Sequence, residues 1–126
     1  MHWLVDGLNV IGSRPDGWWR DRAGAMRGLL AQCEDYARRS GDELTVVFDG
    51  SPLDPPVDTG PGVEAVFALG PGPGAADEKI VALAERLGAP TVVTSDRDLA
   101  RRVSAVGAPV EPARGFRRRL EDDRAS

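Results

Sequence analysis

The sequence contains one cysteine, Cys33, and one histidine, His2. A single cysteine excludes an intrachain disulfide and a cysteine-clustered zinc site. A single histidine excludes the paired-histidine acid–base chemistry of metal-independent ribonucleases. Lysine is nearly absent: 15 of the 16 basic residues are arginine, with Lys79 the exception. No apolar run approaches the roughly 18 residues that cross a bilayer, so no membrane partner is expected. The opening Met1-His2-Trp3-Leu4-Val5-Asp6 sets an acid where a secretory leader needs its apolar stretch, which points to a cytoplasmic location. Positive charge is not in excess either. Sixteen basic residues against 20 acidic give a net charge of −4, so nucleic-acid binding would fall to local arginine patches. Any enzyme here works chiefly with carboxylates.

The 126 residues, 41% hydrophobic and 29% charged, suit one domain. Residues 1–120 are expected to form it, with 121–126 as a charged C-terminal tail. Trp3-Leu4-Val5 reads as a short buried strand that ends in Asp6-Gly7-Leu8-Asn9. Trp19, Ala23, Met26, Leu30, Cys33 and Ala37 recur at steps of four and three, the stripe of a helix that Gly41 closes. Leu44 to Phe48 forms a second strand, again ending in an acid, Asp49. Residues 51–62 carry four prolines and two glycines and read as loop. Val63 to Leu69 forms a third strand. A helix from Ala75 to Leu87 then presents Ile80, Leu83, Ala84 and Leu87 before Gly88 stops it. Thr91 to Thr94 is a fourth strand, and Ser95-Asp96 opens a helix with Leu99, Val103 and Val106 inward. Val110 anchors a short fifth strand. Apolar strands alternating with helices predict an α/β fold, a mostly parallel sheet covered on both faces.

In such a sheet, function gathers outside the carboxyl ends of the strands. Four connections deliver acids there: Asp6, Asp49, Asp77 beside Glu78, and Asp96 with Asp98. Aspartate is an ordinary helix cap and turn former. Asp6 and Asp49, however, interrupt apolar strands just where these enter a buried edge. Converging carboxylates without paired bases raise one another's pKa, and a hard divalent cation such as Mg2+ or Mn2+ relieves that repulsion. Such an ion neutralises a phosphodiester and activates water without any histidine. Asn9 is placed to bind water or a phosphate oxygen, or else to satisfy its own turn. Ser95 either orients Asp96 or caps the helix after it. Arg97, Arg101 and Arg102 flank the acids on one side, and Arg114, Arg117, Arg118 and Arg119 crowd the tail, so both groups are candidates to hold a polyanion. Trp19 is assigned to the buried stripe, and Trp18 to packing or to stacking on a base. Gly70-x-Gly72-x-x-Ala75 superficially matches a dinucleotide fingerprint, but Pro71 and Pro73 remove backbone donors and Asp77-Glu78 repels a pyrophosphate.

The ordered set Asp6-Gly7-Leu8-Asn9-Val10-Ile11-Gly12, Val46-Val47-Phe48-Asp49-Gly50, Val63-Glu64-Ala65-Val66-Phe67, Ala76-Asp77-Glu78-Lys79-Ile80 and Val93-Thr94-Ser95-Asp96-Arg97-Asp98 resembles the NYN domain of YacP-like proteins, relatives of the PIN nucleases. It spans roughly residues 3–120. The resemblance implies a PIN-like three-layer α/β/α fold with sheet order 3-2-1-4-5 and a metal-dependent ribonuclease site. It places the site's acids on Asp6, Asp77 and Asp96, with Asp98 and Asp49 as accessory acids and Asn9 as the turn asparagine. The expectation is a magnesium- or manganese-dependent endoribonuclease whose metal set is Asp6, Asp49, Asp77, Asp96 and Asp98. Asn9, Ser95, Arg97 and Arg101 are expected to meet the substrate. RNA is the expected partner, brought alone or by a ribosome or other RNA-presenting complex. The alternative is an RNA-binding or regulatory module of the same fold without turnover, and a small-molecule phosphatase ranks third.

Overall fold

Asp6 and Asp49 are the last residues of two neighbouring parallel strands. The computed structural model describes residues 1–70 and 74–125, with 122–125 by backbone alone; the Pro71–Pro73 part of the glycine-proline segment lies outside the described residues. Strands β1 (His2–Asp6), β2 (Glu43–Asp49), β3 (Val63–Ala68), β4 (Thr91–Val93) and β5 (Val110–Glu111) form one sheet in the order β3-β2-β1-β4-β5. Every pairing is parallel, with Val5 opposite Val46 on one side and Val93 on the other. The predicted sheet order and the helices expected between the strands are found.

The connections are α1 (Gly7–Gly12), a 3-10 turn (Trp18–Arg20), α2 (Arg22–Ser40), α3 (Ala75–Arg86), α4 (Arg97–Ala105) and α5 (Ala113–Ala125). Strand side chains alternate between faces. Trp3, Val5, Val46 and Phe48 therefore pack under α1, α2 and α5, while Leu4, Val47 and Val92 pack under α3 and α4. Asp6 and Asp49 share the parity of Leu4 and Val47. Both acids consequently face the α3/α4 layer, from which Asp77 and Asp96 come. That parity builds the site.

The stripe assigned to the first long helix holds from Met26 onward: Met26, Leu30, Cys33 and Ala37 are buried, joined by Leu29 and Tyr36. Trp19 and Ala23 depart from it, and both are exposed. Asp21 breaks the chain with φ −145° and accepts from the Gly24 N–H at 3.0 Å, starting a new helix. The helical phase is thereby reset, and Trp19 belongs to the separate turn before it. Trp18 packs against the core instead. Burial pushes the Cys33 thiol up to about 12, with Glu34 adding to the shift, so Cys33 is a core group.

The arginine-rich C-terminal run is a helix. Ala113, Phe116 and Leu120 are fully buried. Phe116 meets Trp3 at 5.4 Å and Tyr36 at 6.4 Å between ring centroids. Two of its arginines, considered above as holders of a polyanion, have structural tasks instead. Arg117 donates to the carbonyls of Val10 and Ile11, capping the open end of α1. Arg119 lies 4.9 Å over the Trp3 ring and pairs with Glu111.

Gly7 lets α1 leave β1 at once. A Cβ there would run into the Phe48 ring and lie 3.1 Å from the Val47 carbonyl. Gly7→Ala is expected to destabilise by about 1–3 kcal/mol, a fall in Tm of about 5–10 °C by calorimetry. An unchanged Tm would mean that Phe48 has room to give.

Candidate nuclease site

Asp6 is 8% exposed at the end of the central strand. Its carboxyl accepts from the Thr94 hydroxyl at 3.0 Å. Burial pushes its pKa up to about 6; Asp77 and Asp96 add to the rise, and Thr94 and the Asn9 backbone N–H oppose it. Asp77, in the first turn of α3, is also raised, first by burial and then by Asp96 and Asp49. Arg102 opposes that shift, while its own guanidinium pairs with Glu78 at 2.8 Å. Three acids from three elements therefore act on one another electrostatically across this rim.

Asp96 is held as the N-cap of α4: its Oδ1 accepts from the N–H groups of Asp98 and Leu99 at 2.9 and 3.1 Å. Its own N–H donates to Thr94 Oγ1 at 3.1 Å. Thr94 thus ties Asp6 to Asp96, a positioning role that the sequence reading missed. Its signal was a polar residue at a buried strand end, two places before the cap. Asp49 is half-buried and its Oδ1 accepts from the Ala76 N–H at 2.9 Å, which fixes the start of α3 beside it. Asp98 is exposed and ion-paired with Arg101, so it stands at the outer edge of the group.

The candidate substrate residues divide the same way. Asn9 Oδ1 accepts from the Ser95 N–H at 2.8 Å, which leaves the amide NH2 of Asn9 as a donor at the rim. Ser95 neither caps α4 nor bonds Asp96; its hydroxyl accepts from the Ala113 N–H at 3.0 Å and anchors α5. Arg97 is exposed in the first turn of α4, and Arg101 is committed to Asp98.

All donors in the group are oxygens, Asp6, Asp49, Asp77 and Asp96 form no ion pair among the described residues, and the pKa of Asp6 is raised first by burial and then by Asp77 and Asp96. That chemistry fits a hard divalent ion. Among the described residues, no three acidic, histidine or cysteine side chains are gathered closely enough to chelate one as they stand. No described helix is long and apolar enough to cross a membrane.

The class that this sheet order and acidic rim define is the PIN-like nuclease fold. The chain belongs to the YacP-like NYN domain family, whose model matches residues 3–126. Among solved structures it is similar to Rae1 (YacP) from Bacillus subtilis, with a TM-score of 0.82 and 28% identity over 99% of this chain and 76% of that one. A tryptophan-to-leucine mutant of the same protein gives a TM-score of 0.81 and 28% identity over 98% and 77%. No protein of curated function matches the chain.

Proposed function

We propose that this protein is an endoribonuclease that uses a magnesium or manganese ion held by Asp6, Asp77 and Asp96. The carrying observation is that the end of β1, the first turn of α3 and the N-cap of α4 bring these three carboxylates to one rim of the sheet, where each feels the charge of the others. When bound, such an ion supplies neutralisation of the phosphodiester and an activated water. The residues of the chain do the placing. Thr94 holds Asp6, the α4 N-terminus holds Asp96, and Asp49 fixes the α3 start that carries Asp77. Asn9, with its oxygen occupied by Ser95, donates from its amide to a phosphate oxygen. Asp49 and Asp98 complete the shell electrostatically, and Arg97 holds the substrate backbone from the exposed side of α4. The expected cellular site is the cytoplasm, with RNA as substrate.

The second reading, an RNA-binding module without turnover, has one observation behind it: the described carboxylates form no ready chelate. Calorimetry with manganese and cleavage of unpaired and structured RNA separate the two. The nuclease reading expects a divalent site, 5′-phosphate products, and loss of at least about a hundredfold in rate when chelator removes the ion. RNA held equally well in chelator, with no divalent site and no cleavage, would establish the binding module instead.

A further inference from the structure

Outside the acid cluster, one tryptophan stands largely open to solvent. Trp19 is 57% exposed, an unusual state for a residue of its apolar area. It stands edge-on to Trp18, with centroids 6.2 Å apart and ring planes at 84°, and Trp18 is packed against the core. The turn beneath it is closed by Arg20 N–H to Gly17 carbonyl at 3.0 Å and Asp21 N–H to Trp18 carbonyl at 3.1 Å. An aromatic face held open in this way meets a planar ligand with little ordering cost.

The arginines that next follow it in the chain are not neutralised by ion pairs among the described residues. Arg22 donates to the backbone carbonyl of Asp49 at 2.8 Å, and Arg27 to that of Pro55 at 2.6 Å. Both guanidiniums are oriented by neutral acceptors, and among the described residues neither they nor Arg20 form an ion pair. Arg101 and Arg102, on the other side of the acids, are paired with Asp98 and Glu78. The nearby Asp21 carboxylate is committed to the α2 cap. Positive charge able to meet phosphate therefore collects at the start of α2, in a chain that is acidic overall.

Arg22 and Asp49 also line one cleft of about 540 Å³, with Leu8 and the 69% exposed Leu69 as apolar walls. Its volume suits a small planar ligand. Arg22 follows Trp19 by only three residues, so the Trp19 turn and this cleft are joined by one short stretch of chain.

We propose that Trp19 and Arg22 form a nucleotide subsite on the Asp49 side of the rim. The indole stacks on one unpaired base of RNA, and the guanidinium holds a neighbouring phosphate. The subsite rests on the reading of the rim as an RNA site, and it selects unpaired strands because a base within a duplex has no free face to offer.

The test is fluorescence anisotropy of a labelled unpaired oligoribonucleotide and of an RNA duplex, in chelator, with the full chain. Trp19→Ala is expected to weaken unpaired RNA binding roughly tenfold and to leave duplex binding alone. Trp19→Phe keeps most of the affinity, since a smaller ring still stacks. Arg22→Gln lowers the slope of log affinity against log salt by about 0.7, one phosphate contact on a single strand. Equal affinity of Trp19→Ala and wild type overturns the subsite, as does an equal loss on duplex or a full loss in Trp19→Phe. Binding is read without turnover. Failure of cleavage under every condition would therefore sink the nuclease reading and leave this subsite standing.

Discussion

Asp6→Asn is expected to abolish RNA cleavage and, in chelator at neutral pH, to make the protein more stable. The folded-state pKa of Asp6 is about 6, above its ordinary 3.8, so the folded protein keeps a proton that the unfolded chain releases. Stability from that difference is complete below the unfolded value and is lost as pH rises through about 6. At pH 7 the buried anion therefore weighs against folding by roughly 3 kcal/mol. Asparagine carries no charge and still accepts from Thr94, so most of that burden is lifted. The expected gain is about 2 kcal/mol, seen as a Tm higher by about 5–10 °C at pH 7 and nearly unchanged at pH 4. Cleavage in manganese should fall on the order of a thousandfold, because a central anion of the metal set is gone. A Tm at pH 7 equal to or below wild type would show that the carboxylates are not crowded. Undiminished cleavage would show that Asp6 is no part of the chemistry.

Phe116→Ala is expected to give the largest loss of stability. The ring is fully buried, and it joins α5 to Trp3 of β1 and Tyr36 of α2. Truncation of such a ring costs about 3–5 kcal/mol, part transfer and part cavity. Thermal unfolding should shift downward by about 10–20 °C. The same substitution loosens the helix whose first residues anchor Ser95, so cleavage should fall with temperature well before wild type loses it. A shift of only a few degrees would mean that α5 is an appendage rather than part of the core.

Much of the fold was legible because its signals are local. The strands ending in Asp6 and Asp49 were visible as apolar runs stopped by acids, and the helices after Gly74 and Asp96 as period-3.6 stripes bounded by caps. Two helices escaped. Helix α1 spans six residues, too few to display a period. Helix α5 carries Ala113, Phe116 and Leu120 at helical spacing, but the four arginines between them give the segment the composition of a solvated charge run. Trp19 was misplaced for a different reason: its spacing continues the α2 stripe, and only the cap at Asp21 reveals that the helix starts later.

From the sequence alone came the succession of strands and helices, the arrival of acids at the carboxyl ends, and the absence of competing histidine or cysteine chemistry. Those are properties of neighbours along the chain, where period, caps and turns act over a few residues. The tertiary structure decided which acids meet, that Thr94 bridges two of them, that Arg117 and Arg119 serve packing, and that Trp19 faces outward. These depend on which sheet face each side chain takes and which helix covers it, and that pairing is settled only when distant segments close one core.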